Sequence, residues 1–367
     1  MIWATATIQR IILDTAGGIL QTPHAGLGSA VPADLDLHHD LGLNSLQRMT
    51  LAASLNEFFG LFGTTDDNYL LAHTSLAHWT ACILRARQQD DTSLTFRTSG
   101  TSGAARAIQH PMASLLGEAH YLAKLLPRPA LIVSTVPAQH VYGLIWTVLL
   151  PAIWACPLRL LADVSPYDPG ADTLIIGTPF TWEYMERSLR PGSVLTCRGV
   201  SSTAPLPPGL FTRLIDRGIP LTEVYGSSET GGLAYRHHPD QPFTLFPYLS
   251  LSAENPAQIT RSDTGATYLL PDRLEQLSPR QIRVLGRLDG AVQIAGVNVY
   301  PAHIRQTILD CPLVLTCDIY AKADAGVAQL YGAVQLRTHT EANRAACLHW
   351  IRARFSAPEI PKHLYIY

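Results

Sequence analysis

At 367 residues, 47% hydrophobic and 15% charged, the chain is long enough for two or three domains around a sizeable core and shows no disordered composition. A formal net charge of −2 offers no basic field for nucleic acid, and no apolar run reaches the length of a membrane span. Met1 to Arg10 lacks the basic-then-apolar layout of a signal peptide, so a soluble, cytoplasmic protein is expected.

Residues 1–88 read as a separate helical module. Ile8, Ile11, Ile12 and Leu20 space a first amphipathic helix, Leu46, Met49, Ala53, Leu55, Phe58 and Phe59 a second, and Leu76, Trp79, Ile83 and Leu84 a last one. Asn44 or Ser45 serves as a helix N-cap, and local structure needs no more than that. The wider pattern Leu37-x-x-Asp40-Leu41-Gly42-Leu43-Asn44-Ser45-Leu46, followed by Leu51, Leu55 and Asn56-Glu57-Phe58-Phe59, resembles acyl and peptidyl carrier domains over nearly their whole length. The resemblance implies a phosphopantetheine arm on Ser45, attached by a phosphopantetheinyl transferase, with Asn44 in place of the more usual Asp.

After a short polar linker, Gln88 to Ser93, residues Leu94, Phe96 and Thr98 alternate like a strand, and Ala107 and Ile108 begin another. Between them lie Thr98, Ser99, Gly100, Thr101, Ser102 and Gly103, whose hydroxyls and backbone N–H groups can donate to phosphate oxygens, with Arg106 supplying positive charge. Taken alone, the same residues also suit a surface turn, and no Gly-Lys-Ser/Thr follows to make a P-loop. With His110, the stretch resembles the phosphate loop of the adenylate-forming superfamily: acyl-CoA synthetases, coumarate ligases and peptide-synthetase adenylation domains. Such enzymes use ATP and Mg²⁺ to turn a carboxylic acid into an acyl-adenylate and pass the acyl group to a thiol. Relatives place a long stretch of fold ahead of this loop, where this chain has the carrier-like module, so the usual opening portion is expected to be missing.

Farther on, Pro111 to Leu126 reads as a helix and Ala130 to Thr135 as a buried strand. Pro137-Ala138-Gln139-His140-Val141-Tyr142-Gly143-Leu144 resembles the segment where coumarate and fatty acyl ligases place a His beside the carboxylate being activated, here His140. Thr173 to Gly177, Ser193 to Val200 and Leu221 to Tyr225 read as strands of a largely parallel sheet, whose ligands bind beyond the strand C-termini. There, Ser201 to Leu206 resembles the turn lining the acyl and adenine pockets, with Ala204 toward the nucleotide. Val224 to Gly231 resembles the Tyr-Gly-x-Thr-Glu motif: Tyr225 would face adenine, Gly226 allow close approach, Ser228 donate to phosphate and Glu229 hold Mg²⁺.

The resemblance further implies that Asp272 binds ribose, that Arg287 lies near ribose or phosphate, and that Asp289 is the hinge for a small C-terminal domain. In that domain Val292 to Val299, Thr316 to Ala321 and Leu330 to Leu336 read as strands, and Ala302 to Asp310 and Glu341 to Phe355 as helices. The family's terminal Gly-Lys has no counterpart, from which slow adenylation with intact ATP binding is expected. The six cysteines form no Cys-x-x-Cys pair, which predicts buried free thiols.

The expected fold is thus a multidomain α/β protein: a carrier-like bundle (1–88), an adenylate-forming core (94–288) and a small α+β domain (289–367). The expected function is AMP-forming ligation of an aryl or fatty acid to a carrier phosphopantetheine. An acyl-CoA ligase and a degenerate ligase body acting as a scaffold remain open. Arg106, His140, Glu229 and Arg287 are the candidate catalytic residues, and an acyl carrier protein or coenzyme A the thiol partner.

Overall fold

The computed structural model describes residues 3–22, 27, 31–61, 69–98, 106–165, 169–170, 172–190, 192–252, 255, 257–288, 290–294, 297–324 and 327–367. Met1–Thr98, Ala105–Thr203 and Thr212–His238 form one compact unit, and Ser99–Ala104, Ala204–Phe211 and Pro239–Tyr367 form a second.

The first unit opens with α1 (Thr5–Leu20), α2 (Ser45–Phe59) and α3 (Leu76–Gln89). In α1, Ile8, Ile11, Ile12 and Leu13 are fully buried, so its apolar surface is wider than a single stripe. A capping box starts α2: the Asn44 side chain accepts from the Gln47 N–H at 2.9 Å and the Gln47 side chain accepts from the Asn44 N–H at 3.0 Å. Leu51, Leu55, Phe58 and Phe59 form its buried stripe. Leu46 (73% exposed), Met49 (56%) and Ala53 lie on the opposite side of the helix, so three of the six residues expected on the apolar face point to solvent. Gly18, in the exposed part of α1, has open space where a Cβ would stand. Gly18→Ala should therefore raise stability by about 0.5–1 kcal/mol, read as a higher denaturant midpoint with unchanged slope.

These helices pack on one another and, within the same compact unit, also reach the elements that follow them. Arg10 reaches its interior, donating to the carbonyls of Thr147 and Val136 at 2.8 and 3.1 Å and to the hydroxyls of Ser134 and Thr147, each at 2.9 Å. Phe58 packs edge-on against Phe96 of β1 (Ser93–Thr98), with ring centroids 5.3 Å apart. Arg87 of α3 donates to the carbonyls of Phe59 and Ser93.

β1 pairs antiparallel with β2 (Arg106–Pro111), as expected for a strand, a loop and a strand; Ser99 to Gly103 lie outside the described residues. Then come α4 (Met112–Leu125), β3 (Leu131–Ser134), α5 (Val141–Leu144), a π-helical turn at Ile145–Leu149, α6 (Leu150–Trp154) and β4 (Leu158–Leu160). The unit continues through β5 (Thr173–Gly177), α7 (Pro179–Ser188), β6 (Arg198–Ser201), the latter part of α8 (Pro208–Asp216), β7 (Leu221–Ser227) and β8 (Gly231–Arg236). Its sheet runs β4-β3-β5-β6-β7-β8, parallel from β4 to β7 with β8 antiparallel at β7. β5 is buried at every residue, which is why it reads as a continuous apolar run instead of alternating.

The second unit holds β9 (Phe243–Leu245), β10 (Leu249–Leu251), β11 (Gln258–Arg261), β12 (Thr267–Leu269), β13 (Asp272–Ser278) and β14 (Gln281–Arg287). β10, β11 and β12 form one small antiparallel sheet, and β14 pairs with both β13 and β9. The run expected as one strand from Val292 to Val299 is a hairpin of β15 (Val292–Ile294) and β16 (Val297–Val299). Next come α9 (Pro301–Leu309), β17 (Val314–Asp324), β18 (Val327–Leu336), α10 (Glu341–Arg352) and β19 (His363–Ile366). Ile304 and Ile308 of α9 and Cys347 and Ile351 of α10 join Cys317, Leu330, Val334 and Ile366 of the sheet β17-β18-β19 in one buried cluster. The unit resumes at Pro239, ahead of the hinge expected at Asp289, which lies outside the described residues.

All six cysteines are free and buried, and burial pushes the thiols of Cys197, Cys317 and Cys347 up to about 11, so they are inert as nucleophiles at neutral pH. Among the described residues no helix is long and apolar enough to cross a membrane.

Candidate functional site

The turn from β7 to β8 lies beyond the C-terminal end of a parallel strand, where sheets of this kind present their ligands. Its backbone is closed by its own side chains. The Ser227 N–H donates to Thr230 Oγ1 at 3.2 Å, and the Glu229 N–H donates to Ser227 Oγ at 3.2 Å. Two neighbouring elements hold it from outside. His110 of β2 donates from Nε2 to the Ser228 carbonyl at 2.7 Å, which places that ring proton on Nε2. Glu118 of α4, only 2% exposed, accepts from the Gly232 N–H through both carboxylate oxygens at 3.0 and 3.1 Å. With the turn fixed from both sides, Glu229 stands exposed while Tyr225 and Ser228 are half-buried.

A second segment comes up beside it. His140 caps the N-terminus of α5, and α5 packs against β8. The Tyr142 hydroxyl donates to the carbonyls of Gly177 at 2.9 Å and Val200 at 3.3 Å, tying the segment to the ends of β5 and β6. His140 is exposed, and desolvation by the protein around it lowers its pKa, with the Asp14 carboxylate acting in the opposite direction. Beyond β6, Thr203 takes a φ of 78°, a left-handed conformation that costs energy for a β-branched residue. Ser202 donates to the Val224 carbonyl at 2.9 Å, and the fully buried Ser201 hydroxyl has no hydrogen-bond partner among the described residues.

The first unit thus brings together Tyr225, Gly226, Ser228, Glu229, His140 and the Ser201–Thr203 turn. Arg106 is exposed at the far end of β2, four residues or about 13 Å along the strand from His110. Ser45 is the exposed first residue of α2. Of the phosphate loop, Thr98 ends β1, and Ser99, Gly100, Thr101, Ser102 and Gly103 lie outside the described residues. In the second unit Asp272, first in β13, faces Arg287, last in β14, across the ladder, and both are half-buried. Ala204 is half-buried in the same unit.

Sequence reasoning missed the residues that hold the turn. Glu118 lies three residues after Leu115 and four before Leu122, on the apolar face of α4, and a lone acid on such a face was the available signal. No group of three or more His, Cys, Asp or Glu that could hold a metal occurs among the described residues. A single carboxylate such as Glu229 still fits Mg²⁺, which keeps several waters and takes one or two carboxylates together with substrate phosphates.

Residues 48–252 match the family described as AMP-binding enzyme. The chain is 37% identical over 286 residues to a 4-coumarate–CoA ligase of Rhodobacter capsulatus, covering 73% of this chain and 72% of the relative. It is 31% identical over 338 residues to a 4-coumarate–CoA ligase of Halorhodospira halophila, covering 88% and 84%. An amide bond synthetase of Marinactinospora thermotolerans shares the fold, with a TM-score of 0.61 and 12% identity over 98% of this chain and 90% of that one. The Halorhodospira alignment leaves 12% of this chain unmatched, fewer residues than an 88-residue module, so part of the N-terminal helical region is shared with that ligase. By the family match over more than half its length and by these relatives, the chain belongs to the AMP-binding enzyme family.

Proposed function

We propose that the protein is an AMP-forming ligase that activates an aromatic carboxylic acid with ATP and passes the acyl group to the thiol of coenzyme A. The likeness to the Rhodobacter 4-coumarate–CoA ligase, 37% identical across 73% of this chain, carries the reading. The geometry of the β7–β8 turn supports it.

The carboxylate oxygen attacks the α-phosphorus of ATP, pyrophosphate leaves, and an acyl-adenylate forms. The thiol sulfur then attacks the acyl carbon, the thiol proton is lost to solvent, and AMP leaves. Tyr225 offers a flat face to adenine and Ser228 a donor to phosphate, while Asp272 binds the ribose hydroxyls and Arg287 lies close by. Arg106 offsets phosphate charge, the hydroxyls of Thr98, Ser99, Thr101 and Ser102 donate to phosphate oxygens, and His140 stands at the acid's carboxylate. Glu229 would hold Mg²⁺, whose charge, when bound, stabilises the phosphate oxygens as pyrophosphate separates.

ATP–pyrophosphate exchange across a panel of aromatic and fatty acids, followed by thioester formation with coenzyme A, tests the reading. Exchange stimulated by an aromatic acid and a coenzyme A thioester as product are expected. A folded protein that binds AMP yet exchanges pyrophosphate with no acid would make the chain a scaffold.

A second reading of the acceptor, a phosphopantetheine arm on Ser45, is favoured by one observation. Ser45 is exposed at a helix start and flanked by the exposed apolar side chains of Leu46 and Met49, a surface that suits a modifying enzyme. Because α2 packs on β1, an arm there would hang from a fixed helix and not from a swinging module. Incubation with a phosphopantetheinyl transferase and coenzyme A should then add one arm by intact mass, absent in Ser45→Ala. No added mass on the folded protein leaves coenzyme A as the acceptor.

A further inference from the structure

Between the end of β3 and the start of α5 the chain has no strand or helix to fix it, yet this stretch presents His140. Beyond Thr135, whose N–H and hydroxyl donate to the Ile176 carbonyl of β5, its backbone is held by α1. Asp14 Oδ2 accepts from the Ala138 N–H at 2.8 Å, and the Asp14 carbonyl accepts from the Gln139 side chain at 3.2 Å. Arg10 donates to the Val136 carbonyl and the Ser134 hydroxyl at the start of the stretch, and to the carbonyl and hydroxyl of Thr147 beyond its end. Thr147 in turn donates to the Gly143 carbonyl at 2.5 Å. Two residues one helical turn apart therefore clamp both ends of the segment.

Both are charged and nearly buried, Arg10 at 8% and Asp14 at 7% exposure, with Arg10 Nε 3.6 Å from Asp14 Oδ2. A buried ion pair adds little stability over apolar residues of the same volume, so what it supplies here is direction: a fork of donors and one acceptor aimed at one loop. The family match begins at residue 48, so α1 lies ahead of it.

We propose that α1 is a positioning element of the acid-activating site, with Asp14 and Arg10 as the positioning residues that set the 134–144 segment and, through it, His140. The proposal rests on the ligase reading above and is separable from it by experiment. Hydrogen–deuterium exchange with mass spectrometry on the full chain reads the anchoring without activity. In Asp14→Ala, a peptide covering 134–144 should exchange at least tenfold faster, while peptides from the β7–β8 turn keep the wild-type rate. Asp14→Asn, which keeps an oxygen to accept from Ala138, should return the segment to within threefold of wild type. With 4-coumarate as the acid, Asp14→Ala should lower kcat for pyrophosphate exchange at least tenfold while AMP affinity stays within twofold, and Asp14→Asn should recover most of that kcat. Unchanged exchange at 134–144 in Asp14→Ala overturns the proposal, as does loss of protection throughout the chain, which marks a merely structural pair. Faster exchange with unchanged kcat overturns the link to catalysis. A wild-type protein without acid-dependent pyrophosphate exchange overturns the ligase reading, and the anchoring is still decided by the deuterium result.

Discussion

Glu229→Ala should lower acid-dependent ATP–pyrophosphate exchange by about 10²- to 10³-fold, equivalent to about 3–4 kcal/mol of transition-state stabilisation. The residue stands exposed on a turn whose backbone is held by Ser227, Thr230, His110 and Glu118, so losing its side chain removes a charge without removing the support. The variant should accordingly melt with the wild type. AMP, which lacks the β- and γ-phosphates, should bind within about threefold of wild type, whereas ATP with Mg²⁺ should bind at least tenfold more weakly. Exchange rates and calorimetric affinities for both nucleotides check this. Wild-type exchange in a folded Glu229→Ala protein would remove Glu229 from the metal's shell and move the search to another acid.

What could be read in advance divides along a physical line. The strands β3, β5 and β7 were legible because a strand covered on both faces needs a run of apolar residues, and Leu174, Ile175 and Ile176 supply one. The turn at Tyr225 to Gly231 was legible through its resemblance to the Tyr-Gly-x-Thr-Glu motif, and the structure has it directly after β7. For the N-terminal region, periodicity shows that a helix has an apolar face and does not show what covers it. Leu55 and Phe58 would face inward in an autonomous bundle just as they do here, where the Phe58 ring meets Phe96 of β1. Arg10 and Asp14 carried the missed signal: two charges one turn apart within a run of Ile and Leu require a polar partner from elsewhere in the fold. Leu46 and Met49 misled in the other direction, since an exposed apolar residue on a helix is common and periodicity cannot tell it from a buried one. The hairpin β15-β16 was missed for a third reason: two short strands with a two-residue connection alternate much like one longer strand.

The second large effect is expected at Gly226, where the sequence asked for close approach and the structure shows what approaches. A Cβ there would stand 2.2 Å from the Gly231 carbonyl oxygen and 3.0 Å from both the Gly231 carbonyl carbon and Gly232 Cα. All three are backbone atoms, so no side-chain rotation relieves the overlap and the turn itself must move. The ladder is already irregular here, with a register shift between Tyr225 and Gly226, so displacement would run through the turn and not along β7. That motion pulls Gly232 away from Glu118, leaving a buried carboxylate short of the two bonds it accepts from that N–H, and it draws the Ser228 carbonyl away from His110. Overlap and lost bonds together should make Gly226→Ala less stable by about 3 kcal/mol, seen as a lower denaturant midpoint at unchanged slope. AMP affinity should fall at least tenfold as well, because Tyr225 and Ser228 move with the turn. Gly18→Ala, where the added carbon meets nothing within 4 Å, is the matched control and should move the midpoint in the opposite direction. A Gly226→Ala protein within about 1 kcal/mol of wild type and with wild-type AMP affinity would mean that the turn yields at little cost, and that the bonds from His110 and Glu118 do not hold the nucleotide site in place.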